Sequence, residues 1–263
     1  MENSSISHRL GRPQVGADGL PQAASAREAL QGISWLRRVS SKTLDALASQ
    51  AVLHRVPAGS LLFNQAEIPA FAQFLLAGSV ELWGVRGEAE TLVELLQPVD
   101  LIVPAAVIGN QPYLMRARIY EEAHLLLVGA EAFRDALACD HALCRAVLGC
   151  LAAQFRRQVR MQKNLKLRSV EERVGCYLVS LLGQADRDIA VRLPIEKHLI
   201  ASQLGMSRET FSRALSAMGK FGILVRGDVI EVADASVARA RFTLDPLIDG
   251  AEPIDLIQGK AIR

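Results

Sequence analysis

The chain has 263 residues, a length that suits two domains with separate cores better than one. Half of its residues are hydrophobic, 22% are charged and the formal net charge is +2, which excludes a disordered chain. No stretch approaches the ~20 consecutive apolar residues of a membrane helix, and the N-terminus lacks the apolar segment of a secretion signal. We therefore expect a cytoplasmic protein without membrane contact.

The first half of the chain has the pattern of a small β-barrel behind a polar arm. Residues 1–26 are rich in Ser, Gly, Pro and Ala without apolar periodicity, which predicts a mobile arm. Residues 27–50 predict a short helix, a turn and a second helix from about Ser41. Between residues 52 and 128, strand-length apolar runs recur about every ten residues between turn residues such as Gly78, which predicts an antiparallel jelly-roll barrel able to enclose a ligand. We assign residues 27–138, with the flanking helices, to this domain.

The sequence contains no clear metal-binding or catalytic motif. His54 and His124 are isolated, so the clustered histidines of a metal-binding jelly roll are missing. The four cysteines contain no CxxC pair and suit reduced thiols in the cytoplasm. A nucleophile motif and a phosphate loop are missing too, which disfavours the rival hypothesis of an enzyme with a jelly-roll active site. We predict a protein that is not an enzyme, and we assign no metal-binding residues.

A long helix is predicted to leave the barrel. Residues 131–137 indicate a short helix, and residues 141–166 contain no proline and a single glycine, which indicates a long one. The apolar stripe of the long helix is too wide for one small contact. One edge can pack on the barrel and the other on a second copy of the helix, as in a coiled-coil dimer, and the alternative is a core helix of a single chain. We assign residues 139–168 to this dimerisation helix.

The next part of the chain is basic. Residues 151–231 hold 14 Lys and Arg against 8 Asp and Glu, a net charge of +6, and since the whole chain carries +2 the rest carries −4. This asymmetry suits one module that binds a polyanion. Ser169 and Glu172 have the spacing of a capping box, which begins a new helix after a hinge near residues 167–170.

Residues 195–220 have the pattern of two short helices joined by a glycine turn. Gly205 accepts a positive φ in that turn without strain, and Ser207 can cap the second helix. Apolar residues recur at helical spacing and predict one buried face on each helix. They are Leu199, Ile200 and Leu204 in the first helix, and Phe211, Ala214, Leu215 and Met218 in the second.

The opposite face of the second helix carries Arg208, Glu209, Ser212 and Arg213 and no large apolar residue. Arginine can bind guanine through two hydrogen bonds, glutamate can accept one from cytosine N4, and serine is adaptable. A helix-turn-helix that presents this face to the major groove is therefore predicted. The alternative is a solvated face with an ion pair between Glu209 and Arg213.

A hairpin is predicted directly behind this helix, over residues 222–232 with its turn at Gly227 and Asp228. Such a hairpin is a wing whose tip can contact the phosphate backbone. We assign residues 169–235 to a winged helix-turn-helix domain and residues 236–263 to a C-terminal extension. The predicted fold class is α+β, with an N-terminal antiparallel β jelly-roll sensor barrel, a long dimerisation helix and a C-terminal winged helix-turn-helix.

This order of parts resembles the CRP/FNR superfamily of bacterial transcription regulators. The resemblance covers roughly residues 35–235, is most specific at SRETFSRAL (207–215), and is weaker at PAGSLLFNQAEIPAFAQFLLAGSVELW (57–83). It implies a homodimer that binds double-stranded DNA and works with RNA polymerase.

The resemblance also implies which residues contact DNA. Glu209, Ser212 and Arg213 match the FNR-like pattern E-x-x-S-R, which implies base contacts and a palindrome resembling TTGAT-N4-ATCAA. Arg208 matches a position that more often contacts the DNA backbone. We rank both Arg208 and Ser207 below the three base-contacting residues.

The signal is not named by the resemblance. A cyclic-nucleotide-binding member carries a cassette resembling G-E-L with a downstream Arg-Ser. Here residues 100–106 are DLIVPAA and residues 115–117 are Met-Arg-Ala, with Pro104 where the ribose-binding glutamate is expected. The sequence therefore argues against cAMP. It also argues against an iron–sulfur cluster, because no cysteine precedes Cys139.

Three interpretations of the sensor stay open, and the cofactor stays unassigned. A small organic acid, the favoured effector, can enter the barrel and pair with Arg116 or Arg118, unless these arginines lie on a solvated strand edge. The second is a haem that reports NO or CO. The third is a protein without a ligand, controlled by its abundance or by a thiol such as Cys176, for which a buried structural role is the simpler interpretation. Haem ligands would come from the cysteines or from His8, His54, His124 and His141. A regulator that acts through protein contacts alone is the remaining rival to DNA binding.

Overall fold

The structure, a computed structural model, describes residues 25–183 and 187–250, without the side chains of residues 187 and 188. Within this description, residues 25–81 and 95–147 form one compact unit, and residues 82–94, 148–183 and 187–250 form another. The predicted arm lies outside the described residues except for its last two, and these belong to a helix instead. Ser25 caps that helix by accepting a hydrogen bond from the Glu28 N–H, and Ala26 begins it.

The first unit opens with the two predicted helices. They are α1 (Ala26–Gly32) and α2 (Ser41–Ser49), separated by a short 3-10 helix (Ser34–Leu36). Ser40 begins α2 by accepting a hydrogen bond from the Thr43 N–H. The leucines of these helices are buried, and Trp35 stacks on Phe74 of the barrel at 5.9 Å between ring centroids.

The predicted antiparallel sheet is confirmed. Its strands are β1 (Ala51–Val56), β2 (Leu61–Phe63), β3 (Phe71–Arg86), β4 (Ala89–Leu96), β5 (Asp100–Ile102) and β6 (Arg116–Gly129). Their order is β1-β6-β3-β4, and β2 also pairs with β6 while β5 pairs with β3. β1 lies antiparallel to β6 with Ala51 opposite Val128 and Val56 opposite Ala123.

The sequence predicts that Gly78 ends a strand, but this residue lies inside the 16-residue strand β3. Its φ is +79°, and a Cβ there would lie 2.2 Å from the carbonyl oxygen of Glu122 on β6. Glycine is required because the neighbouring backbone approaches so closely. Sequence alone does not distinguish this in-strand glycine from a turn glycine. The turn from β3 to β4 begins at Gly87 instead.

A short helix, α3 (Pro104–Gly109), begins inside residues 100–106, where the family resemblance places the nucleotide-binding cassette. It was not predicted, although proline at the first helical position is favourable because its missing N–H needs no partner there. The predicted helices α4 (Ala130–Cys139) and α5 (His141–Leu167) follow. Among the described residues, no single helix is long and apolar enough to cross a membrane, and α4 and α5 pass that test only as a pair bent by 114°.

The second unit contains the rest of the elements. They are α6 (Val170–Leu181), β7 (Arg187–Arg192), α7 (Lys197–Gln203), α8 (Arg208–Ala217), a 3-10 helix (Met218–Phe221), β8 (Ile223–Arg226), β9 (Val229–Asp234), α9 (Ala235–Arg241) and α10 (Pro246–Asp249). The three strands form an antiparallel sheet in the order β7-β9-β8. The predicted capping box is present, since Ser169 Oγ accepts from the Glu172 N–H at 3.2 Å and Glu172 accepts from the Ser169 N–H at 2.8 Å.

The C-terminal extension contains one helix that the prediction lacks. Residues 246–249 form helix α10, which the sequence does not predict, and residues 251–263 lie outside the described part of the chain. The long helix and the wing agree with their predicted positions. The assignment of α5 as a dimerisation helix stays a prediction.

Candidate nucleic-acid interface

Two helices and a tight turn build the candidate interface. α7 ends where the Gly205 N–H donates to the Ser202 carbonyl at 2.9 Å and the Met206 N–H donates to the Ala201 carbonyl at 3.0 Å. Gly205 has the positive φ predicted for it, +65°. Ser207 then caps α8 by accepting a hydrogen bond from the Thr210 N–H at 3.2 Å. The sequence therefore predicted the turn chemistry correctly.

The two faces of α8 are divided as the apolar spacing predicts. Phe211, Leu215 and Met218 are 1%, 7% and 0% exposed and join the core of the second unit, together with α6, α7 and the sheet. Ala214 is only partly buried. The opposite face is exposed and carries Arg208, Glu209, Ser212 and Arg213, and the predicted DNA-contacting cap Ser207, directly before the helix, is exposed too.

Electrostatics keep Glu209 ionised. Its pKa is lowered because its carboxylate accepts hydrogen bonds from its own backbone N–H and from the Ser207 hydroxyl, and because Arg208 and Arg213 lie nearby. A carboxylate in the first helical turn also interacts favourably with the helix dipole. An acceptor for cytosine N4 is thus available at neutral pH on a surface that is otherwise basic.

The predicted wing is present beside α8. β8 and β9 pair antiparallel with Arg226 opposite Val229, and Gly227 in the turn has a φ of +59°. Two ion pairs lie on this sheet, Arg192 with Asp228 at 3.2 Å and Arg226 with Glu231 at 3.3 Å. All four side chains are largely exposed, so the pairs are weak and their arginines can exchange a carboxylate for a phosphate.

A groove of about 310 Å³ between α8 and the wing contains Lys197 and Ser216, which the sequence did not indicate as DNA-contacting residues. It is lined by Lys197, Ser212, Leu215, Ser216, Gly219 and residues 223–225. Ser216 follows Ser212 by one helical turn, and this spacing was the signal available in the sequence. Lys197 lies in the first turn of α7, and only the fold brings it to the groove.

Two domain families match the chain. The Crp-like helix-turn-helix domain matches residues 172–237, which hold α7, α8 and the wing, and the cyclic nucleotide-binding domain matches residues 53–140, which hold the barrel strands. Together they cover more than half of the chain. The chain belongs to the CRP/FNR superfamily of transcription regulators. Members of this family are DNA-binding regulators rather than enzymes.

Individual relatives agree with this assignment. The cyclic AMP receptor protein of Thermus thermophilus is 28% identical over 186 residues, which is 69% of this regulator and 83% of that protein. A solved structure from Ruegeria pomeroyi, described as a cyclic nucleotide binding protein, is 25% identical with a TM-score of 0.51, and the match covers 84% of this chain and 98% of that one. FixK2 of Bradyrhizobium japonicum, 17% identical over 74% of this chain and 98% of that one with a TM-score of 0.60, shares the fold.

The candidate effector residues lie on β6 of the regulator. Ala117 and Ile119 are 0% and 1% exposed, and Arg116 and Arg118 alternate with them and are half-buried. The two arginines therefore leave the strand on the same face, opposite to the apolar pair. Residues two apart in a strand are about 7 Å apart, so both guanidinium groups can reach one small anion that lies on the side of β6 away from these buried residues.

The candidate haem and redox ligands lie on several elements of the fold. No group of three or more His, Cys, Asp and Glu side chains in residues 25–183 and 187–250 is arranged to hold a metal ion. His8 lies outside the described residues, and His54 and His141 are exposed. Cys176 is buried, which raises the pKa of its thiol, and it donates to the Thr243 carbonyl at 3.9 Å. This position fits the structural role better than the reactive one.

Proposed function

We propose that this regulator binds DNA as a homodimer and reads an FNR-like palindrome, with Glu209, Ser212 and Arg213 on base edges. The observation that carries the proposal is the exposed polar face of α8, opposite to an apolar face that packs into the core. Arg213 and the ionised Glu209 lie together on the side away from the core, where both side chains are accessible to base edges. Arg208 and the arginines of the wing contact phosphates, which fix the register on the duplex.

Replacing Arg213 by alanine tests the readout. We expect Arg213→Ala to lower affinity for TTGAT-N4-ATCAA by ~1–3 kcal/mol and to relax discrimination at one guanine. The measurement is a gel-shift series with every single base change in one half-site. Arg37→Ala, which removes an exposed positive charge far from α8 in sequence, is the matched control. Unchanged discrimination in Arg213→Ala would remove this residue from base recognition.

The dimer is supported by apolar side chains that the chain itself leaves exposed. Leu143 and Val147, near the start of α5, are buried at 0% and 1% exposure, whereas Leu148, Phe155 and Val159 are 58%, 68% and 40% exposed. The last three are spaced by seven and four residues, as in the seam of a coiled coil. A second copy of α5 supplies a matching apolar surface, and RNA polymerase is the further partner that the family implies.

Charge in this seam should separate the protomers. We expect Phe155→Glu to shift the protein to the monomer in light scattering coupled to size exclusion, because it buries an unpaired charge in the dimer. Leu114→Glu, the control, introduces the same charged residue in place of a leucine that is 82% exposed on the other unit. A dimer that survives Phe155→Glu would place the interface elsewhere.

The effector proposed for the barrel domain is a small organic acid held by Arg116 and Arg118, on the side of β6 away from the buried Ala117 and Ile119. Native mass spectrometry and the absorbance spectrum of the purified protein test this first. A co-purified acid supports it, and a Soret band supports the haem alternative instead. An acid that stabilises the wild type in thermal melts should lose its effect in Arg116→Ala/Arg118→Ala, because stabilisation depends on affinity for the folded state. Equal stabilisation of both proteins would exclude the two arginines.

A further inference from the structure

The chain continues beyond the helix-turn-helix family match and folds back onto the long helix. The match ends at residue 237, within α9. Phe242 then anchors the chain: it is 1% exposed and lies against Gly175 of α6, where a Cβ would meet its ring at 2.3 Å. From this anchor, residues 243–250 run to the C-terminal end of α5. We name these eight residues the clasp.

The clasp holds α5 through a two-pronged ion pair. Arg168, which follows α5 directly, donates from Nη1 and Nη2 to the two carboxylate oxygens of Asp249 at 2.7 and 2.6 Å. The side chains are only 9% and 14% exposed, so water screens the pair little. Parallel double hydrogen bonds fix orientation as well as distance. Arg168 also donates to Asn164 Oδ1 at 3.1 Å, which ties the guanidinium to the last turns of α5.

Further contacts join the same two segments. Arg160 Nη1 donates to the Gly250 carbonyl at 2.5 Å, and Lys163 Nζ lies 3.4 Å from the Leu247 carbonyl. Asp249 also accepts a hydrogen bond from the Asp245 N–H at 2.8 Å, so it organises the clasp that it attaches. Arg160, Lys163, Asn164 and Arg168 follow one another at spacings of one to four residues that keep them on one side of α5 and its continuation.

These contacts span the hinge predicted at residues 167–170. α5 ends at Leu167 and α6, the first helix of the DNA-binding domain, begins at Val170. The peptide chain alone leaves the backbone torsions between these helices free to vary. Leu165 packed at Gly205 and Arg173 bound to the Arg168 carbonyl already join the two segments. The clasp adds a further attachment, because it follows Phe242, which packs on Gly175 of α6, and contacts Arg160 and Lys163 of α5 as well as Arg168 in the hinge. Together these contacts restrain the angle between the long helix and the DNA-binding domain.

We propose that the clasp, with Arg168 and Asp249 as positioning residues, sets the orientation in which the two recognition helices of the dimer meet a palindrome. The proposal rests on the proposed function as a dimeric DNA reader. Two half-sites on one face of DNA demand one relative placement of two recognition helices. Freedom at the hinge must be lost when both bind, which weakens the complex. A single half-site makes no such demand.

Asp249→Asn in the full-length chain tests the proposal, because it removes the charge and keeps the side-chain size. We expect on the order of tenfold weaker binding to the palindrome by fluorescence anisotropy, a magnitude typical of coupling between sites. Binding to a DNA with one half-site and the loss caused by each base mismatch should stay unchanged. Asp249→Glu should recover part of the affinity, and Asp135→Asn, an exposed carboxylate on α4, should behave as wild type.

Trypsin provides a readout that does not depend on DNA. Lys166 and Arg168 lie at the hinge, and Asp249→Asn should speed cleavage after them while the circular dichroism and melting temperature of the DNA-binding domain persist. Unchanged cleavage, or wild-type affinity for the palindrome, overturns the proposal. Equal weakening on palindrome and half-site also overturns it, since Asp249 would then support folding of the domain rather than its placement. Wild-type protein that ignores the palindrome refutes the proposed function, and the cleavage rates still decide whether the clasp holds the hinge.

Discussion

Asp140 is the residue whose ionisation should govern the acid stability of the first unit. It lies between α4 and α5 and accepts four hydrogen bonds. Its Oδ1 accepts from the N–H groups of Ala142 and Leu143 at 2.8 and 3.0 Å, and its Oδ2 accepts from the hydroxyls of Thr43 and Ser40 at 2.5 and 3.1 Å. The Asp140 carboxylate therefore caps the N-terminus of α5 and also binds the two hydroxyl groups at the start of α2.

These hydrogen bonds, led by the one from Thr43, lower the pKa of Asp140 from 3.8 to about 2. One pKa unit corresponds to about 1.4 kcal/mol, so the ionised form contributes up to about 2 kcal/mol, and we expect 1–2 kcal/mol because the group is partly exposed to water. The folded pKa lies below the unfolded one. The contribution is therefore fully present above about pH 4 and is lost as the pH falls toward 2.

The assay is urea unfolding at pH 7 and at pH 3, followed by Trp35 fluorescence in a Trp83→Phe background, because Trp35 stacks inside this unit. Asp140→Asn should be about 1–2 kcal/mol less stable than its parent at pH 7, with about half of that difference left at pH 3. Asp135→Asn controls for the loss of a surface carboxylate. A difference between Asp140→Asn and its parent that does not change with pH would refute the reasoning.

Three further outcomes follow from the packing of the second unit. Gly175→Ala should destabilise the protein by about 1–3 kcal/mol in thermal melts, because the new Cβ overlaps the buried Phe242 ring. Gly205→Ala should lower stability by about 1–2 kcal/mol through its positive φ alone, and by more because its Cβ would lie 2.4 Å from Leu165 Cδ2. Cys176 should react with iodoacetamide far more slowly than the exposed Cys139 in native protein, and equally fast in denaturant, as read by mass spectrometry.

Each of these outcomes has its own check. Gly32→Ala, with open space around the new methyl group, should leave stability unchanged or raise it and controls for Gly175→Ala. Leu165→Ala in the Gly205→Ala background should relieve the steric part of the loss but not the backbone part. No relief would mean that Leu165 does not limit the turn. Rapid alkylation of native Cys176 would revive its role as a redox thiol.

Features set by neighbours in the sequence could be predicted from it. The Ser169–Glu172 capping box, the positive φ of Gly205 and the Ser207 cap depend on groups at most a few residues apart, and all three are present. The two faces of α8 follow from helical spacing for the same reason. By contrast, Gly78 was misjudged because its need for glycine comes from Glu122, which lies far along the chain on β6.

The parts of the site that were missed depend on contacts between distant residues. Lys197 reaches the groove beside Ser212 only because α7 packs across α8. Helix α10 has four residues, too few for an apolar period, and the pair that holds it joins positions 81 residues apart. No pattern within the sequence links an arginine at 168 to an aspartate at 249.

The end of α5 shows how a local and a distant requirement can fall on one residue. Gly205 is needed for its φ, which the sequence indicates, and also because Leu165 of α5 fills the space of its missing side chain. Arg173 of α6 donates to the Arg168 carbonyl at 3.0 Å, and Asp249 binds the Arg168 guanidinium. The DNA-binding domain therefore contacts the last turn of α5 from its turn, from its first helix and from the clasp. A signal carried along α5 reaches the recognition helix through these contacts when it favours one of their states over another.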